Sequence, residues 1–360
     1  MSCSSPLYRI PIGSHNFFLL VPSDQNRLKN HGVFLPYEAL KAYENHPSWD
    51  SDSVQVLRCG QCSDCRLAYS RDWAVRCSLE AECHEHNYFV TLTYDDLTLP
   101  RGEFVDYNGD VFDSTLVRRD IQLFIKRLRE WERTQNNNTG VKVFYCGEYG
   151  GLTSRPHFHI CLFGVSEIPD LMFSYKKGQY NYYKSSLYES FWSTKFNGVE
   201  VLRGFVDISD ISFESIAYTA RYVFKKQQGL IKKDFLESYN ALDPDLRPDL
   251  RAQPFIGMSL KPGIGSEYYQ KHKFNIHSED LVKYHKRYQL FKSRPPRYYD
   301  KLFERESPDD FADLKRRRLK GSIAAKKIKS SLVSETDLSR QNREAFILSC
   351  MEKKHFVRCL

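Results

Sequence analysis

The sequence predicts an α+β fold with an antiparallel sheet at its centre and helices flanking it. Three observations carry this. Short runs rich in β-branched and aromatic residues, such as NYFVTLTYDD (87–96), interleave with longer amphipathic stretches. Two of the runs, VKVFYCGEYG (141–150) and PHFHICLFG (156–164), are joined only by GLTSR. A link that short makes an antiparallel hairpin, because parallel strands need a long crossover. The amphipathic segments, finally, each carry one apolar stripe, which a sheet face can bury.

The elements follow in order. Residues 1–55 carry Pro, Asn, His and Ser with weak periodicity and read as an irregular N-terminal arm. CRLAYSRDWAVRCSLEAECHEH (65–86) places Leu67, Trp73, Ala74, Cys77 and Ala81 at mostly helical spacing, which predicts a helix ending near Glu85. Residues 87–96 form a strand that leaves through Asp95 and Asp96. In DSTLVRRDIQLFIKRLREWERTQ (113–135), Leu116, Ile121, Phe124, Ile125, Leu128 and Trp131 make an apolar helix face, with Ser114 as its cap. NNNTG (136–140) breaks the chain before the hairpin. Residues 182–196 read as helical and GFVDISD (204–210) as a strand. SFESIAYTARYVFKKQQG (212–229) reads as a helix capped by Ser212, or by Ser215, and stopped by Gly229. Residues 274–293 read as helical up to RPPR, and the last fifty as a loosely packed helix or tail. This gives an arm (1–55), a central domain (56–270) and a basic, mostly helical C-terminal region (271–360).

Composition narrows the function classes. Hydrophobic residues at 41% with 14% aromatic exclude a globally disordered chain. No apolar run approaches the roughly 18 residues of a membrane span, and no basic segment precedes an apolar leader. The expectation is a protein without a signal peptide or membrane partner. A formal charge of +8 favours an anionic partner. The excess is densest in KRRRLKGSIAAKKIK (315–329), which is either a solvated basic face or a nucleic-acid contact. Ten cysteines in a chain of this length fit reduced thiols better than a secreted disulfide framework.

The chemistry concentrates in RPHFHIC (155–161). In a strand, residues i and i+2 share a face, so His157 and His159 project together while Phe158 and Ile160 turn to the other side. Alone, such a pair is as readily two polar side chains on a wet face. Glu148 on the preceding strand changes this: one carboxylate and two imidazoles with open positions suit Mg²⁺, Mn²⁺ or Zn²⁺. Register is not legible in sequence, so Asp95 and Asp96 remain rival third ligands. In YTARYVFKK (218–226), Tyr218 and Tyr222 stand four apart on one helix face, with Lys225 and Lys226 beyond them. Isolated, they would simply pack on the sheet. Beside a divalent ion and cations, a phenol has what a phosphodiester nucleophile needs.

FVTLTYDD, RPHFHICLFG and YTARYVFKK resemble the three ordered motifs of the HUH endonucleases, the rolling-circle replication initiators. Their spacing and paired tyrosines resemble the initiators of the Microviridae, most of all the gokushovirus branch. There CGQCSDCRLAYSRDWAVRC, CGEYG and SLKPGIGSEYY (259–269) also have counterparts, so the resemblance covers about residues 55–270. It implies an antiparallel sheet carrying the histidines with the tyrosine helix across it. It also implies His157 and His159 as ligands of a divalent metal (Mg²⁺ or Mn²⁺), and Tyr218 and Tyr222 as catalytic tyrosines. Lys225 or Lys226 would orient the phosphate. The implied activity is site-specific nicking and joining of single-stranded DNA through a 5′-phosphotyrosine, which starts and ends rolling-circle replication of a phage in the bacterial cytoplasm. A relaxase or transposase of the same chemistry is the alternative among enzymes, and a non-catalytic nucleic-acid-binding protein the alternative outside them.

Partners follow from what the chain lacks. No Gly-x₄-Gly-Lys-Ser/Thr loop occurs, so unwinding is expected from a host helicase and synthesis from a host DNA polymerase. Cys59, Cys62 and Cys65 stand at two-residue gaps, a partial pattern for a structural Zn²⁺, with Cys83, His84 or His86 as a fourth ligand. The alternative is a turn whose thiols pack inward. In SLKPGIGSEYY, Pro262, Gly263 and Gly265 form a turn that either approaches a phosphate or only closes the domain.

Overall fold

The structure is a computed structural model, and it describes residues 7–12, 16–19, 55–57, 63–135, 137, 140–221, 229–243, 247–286 and 289–332. The chain divides into two compact units, residues 1–69 with 334–360, and residues 70–333. In the first, β1 (Leu7–Ile12), β2 (Asn16–Leu19) and β3 (Gln55–Leu57) form a small antiparallel sheet in the order β2-β1-β3. The N-terminal segment is therefore not irregular throughout. Alternating LYRIPI and the short NFFL pair with each other, a signal hidden among Pro and Ser.

The second unit is built on a seven-stranded sheet. Its strands are β4 (Asn87–Tyr94), β7 (Lys142–Tyr149), β8 (Pro156–Phe163), β9 (Met172–Lys177), β10 (Tyr180–Lys184), β13 (Gly204–Asp210) and β15 (Phe255–Met258), in the order β15-β7-β8-β4-β13-β10-β9. All neighbours are antiparallel. The fold is α+β and HUH endonuclease-like, as the motifs predicted. Smaller pairs complete the strand set: β5 (Arg101–Val105) with β6 (Val111–Ser114) and β14 (Asp249–Leu250), β11 (Ser193–Phe196) with β12 (Val199–Leu202), and β16 (Val282–Lys286) with β17 (Gln289–Ser293).

Alternation gives the sheet two chemically different faces. Val90, Leu92, Phe158, Ile160, Leu162, Val206 and Ile208 point to one face, all buried. There α2 (Arg118–Thr134) packs through Ile121, Phe124, Ile125 and Leu128, and α3 (Ser186–Phe191) through Tyr188 and Phe191. At roughly 1.5–3 kcal/mol for each fully buried large apolar side chain, this face supplies much of the folding free energy. Two buried polar groups tie α2 to the sheet: Asp120 accepts from the Tyr94 hydroxyl at 2.7 Å and the Arg203 guanidinium at 2.9 Å. The second face carries Thr91, Thr93, His157, His159, Cys161, Cys146 and Glu148 by register. It is covered in part by α1 (Ser63–Ala81), whose Trp73 stacks on Phe144 at 5.2 Å, and by α4 (Phe213–Arg221). The Ser70 hydroxyl on α1 donates to the Ala220 carbonyl on α4 at 3.0 Å, joining the two helices over the sheet.

Several elements differ from expectation. Ser114 is not a helix cap: it ends β6, and α2 begins four residues later, after an extended Val117 with no side-chain cap. Residues 182–196 are not one helix. The segment ends β10, forms α3, then enters the β11–β12 hairpin. Its turn, Asn197-Gly198, has both φ angles positive (49° and 82°), the conformation an Asn-Gly pair adopts best. α3 is capped instead by Ser185, whose oxygen accepts from the Tyr188 amide. α1 stops at Ala81 rather than near Glu85, because the Asn87 side chain ties off the carbonyls of Ala81 and His84. Gly229 does not stop a helix but opens α5 (Gly229–Asn240). The expected helix at 274–293 holds only at its start, in α6 (Ser266–Glu279). The rest is the β16–β17 hairpin, where Val282 and Tyr284 alternate inward. α7 (Arg297–Glu306) and α8 (Pro308–Leu332) follow.

The basic run lies on α8, and part of it is spent internally. Arg318 forks onto Asp280 and Asp300, and Lys315 meets Glu304 at 2.8 Å. The glycine turn of SLKPGIGSEYY closes the domain. Its Gly265 amide donates to Glu80 at 2.6 Å, Arg76 donates to the Ile264 carbonyl, and Gly265 adopts the left-handed φ of 81° that lets α6 start there.

Candidate metal and tyrosine site

The site is made where β7, β8 and α4 meet. Glu148 lies directly opposite His157, and Cys146 opposite His159. The hairpin register thus brings the carboxylate beside both imidazoles, with no residue from elsewhere needed. One oxygen, Glu148 Oε1, lies 3.0 Å from His157 Nε2 and 2.9 Å from His159 Nε2. The three candidate ligand atoms all fall within 4.8 Å of one another. The Glu148 and His159 side chains are 3% and 10% exposed and that of His157 is 16%, so the cluster opens towards solvent on the His157 side.

The other ring nitrogens set the orientation. His157 Nδ1 meets the Arg155 carbonyl at 3.1 Å, and His159 Nδ1 meets the Thr91 hydroxyl at 3.0 Å. Both rings are therefore held with Nε2 towards the common point, the arrangement by which outer partners aim a metal-binding histidine. Arg155 is itself fixed, donating to the Tyr94 carbonyl at 2.9 Å and pairing with Asp96. Phe89 stacks on His159 at 5.5 Å and limits its rotation further.

Electrostatics favours cation capture. Burial pushes the Glu148 carboxyl up, but hydrogen bonds from His157 and His159 and their charge outweigh it and hold the group at about 2. Burial pulls His159 below the ordinary histidine value, against the pull of Glu148. An ionised carboxylate beside an imidazole kept neutral is the protonation state a divalent ion requires. The donor set, one hard oxygen and two nitrogens, fits the divalent ions expected from sequence. Asp95 and Asp96, the rival ligands, are engaged elsewhere: Asp95 accepts from the Thr98 amide and hydroxyl, and Asp96 from Arg155.

Tyr218 arrives on α4. Ser212 and Ser215 start this helix reciprocally, the Ser215 amide donating to Ser212 Oγ at 3.1 Å and the Ser212 amide to Ser215 Oγ at 2.9 Å. Ile216, Ala217 and Ala220 are buried against the sheet, and Thr219 lies 3.7 Å from Cys161. That docking turns Tyr218 to the cluster. Its hydroxyl donates to Glu148 Oε1 at 2.7 Å, and its ring meets His159 edge-on at 5.0 Å. Burial and the Glu148 charge both raise the phenol, so it is held protonated, while Arg221, whose guanidinium lies 4.5 Å from the ring centroid, opposes them.

Thr91, Arg155 and Arg221 were not singled out in sequence. Thr91 had a signal in the alternation of FVTLTYDD, but its face is defined only once β4 is paired with β8. Tyr222, Lys225, Lys226, Cys59 and Cys62 lie outside the described residues. Cys65 is buried in the first turn of α1. His84 bonds Glu80 at 2.7 Å, and the Cys83 thiol donates to the Leu79 carbonyl.

Comparison with known proteins supplies the family. The family model of replication-associated proteins of the ORF2 type matches residues 87–227, which contain the hairpin and α4. Replication-associated protein ORF2 of Spiroplasma virus 4 is 34% identical over 264 residues, 72% of this chain and 71% of its own length. The chain belongs to the phage replication-associated proteins. Replication-associated protein VP4 of Bdellovibrio phage phiMH2K is 28% identical over 71% of this chain and 70% of its own. Replication-associated protein ORF4 of Chlamydia phage 1 is 32% identical over 47% of this chain and 38% of its own. No solved structure matches the chain. The family is the one to which the three motifs pointed. Among the described residues, no helix of this replication-associated protein is long and apolar enough to cross a membrane.

Proposed function

We propose that this replication-associated protein initiates rolling-circle replication of a phage by nicking and rejoining single-stranded DNA at the origin. One observation carries the reading: the Tyr218 hydroxyl shares Glu148 Oε1 with both histidines. A nucleophile-type phenol thus stands within one ligand's reach of a candidate metal triad. Glu148, His157 and His159 would hold Mg²⁺ or Mn²⁺. Such an ion, when bound, polarises the scissile phosphate and neutralises charge that develops on its oxygens.

The protein's own groups do the rest. Glu148 Oε1 holds the phenolic proton of Tyr218 until attack. The Tyr218 oxygen forms a bond to phosphorus as the bond from phosphorus to the 3′ oxygen breaks. The products are a 5′-phosphotyrosine and a free 3′-hydroxyl, which takes up a proton and primes synthesis. Tyr222, four residues on, is proposed as the second nucleophile, and Lys225 or Lys226 as the group that orients the phosphate. A covalent intermediate conserves the bond energy for rejoining. Residues 56–270 are proposed to hold this nuclease and residues 271–360 to assist DNA binding. A host helicase and polymerase, in the cell of a bacterial host, complete the reaction.

The experiment uses purified protein, Mn²⁺ or Mg²⁺, and labelled single strands spanning the phage genome. A covalent protein–DNA band on a denaturing gel is expected. It should vanish with chelator and with Tyr218→Phe combined with Tyr222→Phe. Binding to every strand with no adduct from the unmutated protein would leave a non-catalytic DNA-binding protein instead.

A further inference from the structure

We infer that the open half of the histidine-bearing sheet face is a stacking platform for unpaired nucleobases, built from Phe205, Tyr175 and Tyr182 and flanked by Lys177 and Lys184. The inference rests on the proposed single-stranded DNA substrate and adds where, beyond the scissile phosphate, the strand is gripped.

Register places these groups. Phe205 pairs with Thr93, which pairs with His157, so all three lie in one cross-strand row on one face. Neighbouring strands lie roughly 4.8 Å apart, which sets the Phe205 backbone about 10 Å from that of His157. The next row runs Asp207, Thr91, His159. Tyr183 pairs with Ile208 on the opposite face, so Tyr182 and Lys184 share the face of Asp207. Tyr182 pairs in turn with Tyr175, and their rings stack at 4.7 Å, 5° from parallel.

Burial shows the platform is open where the rest of the face is covered. α1 and α4 lie over the β7–β8 side, and Cys146 and Cys161 there are fully buried. Phe205 is 59% exposed and Tyr175 40%. An aromatic ring held in the open on a strand is costly to leave in water and offers a flat face to a partner. The nearby charges select the partner. Lys177 and Lys184 both act on Asp207, whose carboxylate also accepts from the Tyr175 hydroxyl. The acid on the platform is thereby offset, which leaves cations beside bare rings. Aromatic faces with interleaved lysines, continuous with a phosphodiester-directed tyrosine, match a single strand: the bases stack and the phosphates meet ammonium groups. A duplex, with its bases already stacked, gains nothing from the rings.

The test is fluorescence polarisation of labelled oligothymidylate, single-stranded and as its duplex, with the full chain. Phe205→Leu and Tyr175→Leu should each weaken single-strand binding about 5- to 150-fold, at low and high salt alike. Phe205→Tyr, which keeps the ring, should bind as the unmutated protein does. Lys177→Ala should instead lower the salt dependence, by about 0.7 in the logarithmic slope. Duplex binding should not change in the leucine variants. If the unmutated protein binds single strands and both leucine variants bind equally well, the platform is wrong and the nuclease reading stands. If the unmutated protein binds no single strand, both fall together.

Discussion

Two polar clusters sit at opposite ends of β7 on the same sheet face, and they look alike on paper. Glu148, His157 and His159 form one. Glu80, His84 and Glu267 form the other, again with ligand atoms close enough to hold an ion. The second has its own cation. Lys142 Nζ lies 2.7 Å from Glu80 Oε1 and 4.0 Å from Glu267, while His84 and the Gly265 amide satisfy the remaining carboxylate positions. Its charges are neutralised from within, and its work is to lock α1, β7 and the α6 turn together. The first cluster gathers two imidazoles and a phenol on one carboxylate oxygen, where the second has an ammonium. Ligand-type residues in contact are thus a poor guide to a metal site. Whether a protein cation already occupies the centre is the better one.

The comparison can be broken most directly by metal binding. Glu148→Ala should abolish Mn²⁺ binding measured by calorimetry, and with it the covalent adduct, whereas Glu80→Gln should leave the stoichiometry unchanged. Equal loss in both variants would mean that the second triad holds the ion. A smaller effect is expected on stability. Lys142→Met strands Glu80, which is fully buried, and should cost about 3–5 kcal/mol in denaturant unfolding. Mn²⁺ should recover part of that loss, because removing the ammonium leaves a vacant anionic triad; no recovery would show that the triad geometry collapses without the lysine. Smallest is Thr91→Val, which deletes the hydroxyl at His159 Nδ1 and should weaken Mn²⁺ binding roughly 10- to 100-fold with little change in melting temperature. An unchanged affinity would assign the orientation of His159 to Phe89 stacking instead.

The legible parts of this protein were those written in local periodicity. The strands 87–94, 142–149, 156–163 and 204–210 and the apolar face of α2 show in short windows, because alternation and 3.6-residue spacing are properties of neighbouring residues. The hairpin was legible for the same reason, its link being too short for another arrangement. Local windows failed where a turn overrode composition. Asn197-Gly198 splits a helical-looking stretch, and Val282 and Tyr284 are drawn into a hairpin by burial that no window contains.

The sequence by itself determined the family, the order of the motifs, and that His157 and His159 share a face, since strand alternation needs no partner to be defined. Only the tertiary structure decided the rest. Pairing in register put Glu148 opposite His157 and set Asp95 and Asp96 aside. Packing of α4 through Ile216, Ala217 and Ala220 brought the Tyr218 hydroxyl to a residue seventy positions away. The same pairing gathered Phe205, Tyr175 and Tyr182 on one open face and put Lys142 into the second triad. Each of these depends on which strand lies beside which, a choice made by long-range burial and hydrogen bonding that a linear pattern does not encode.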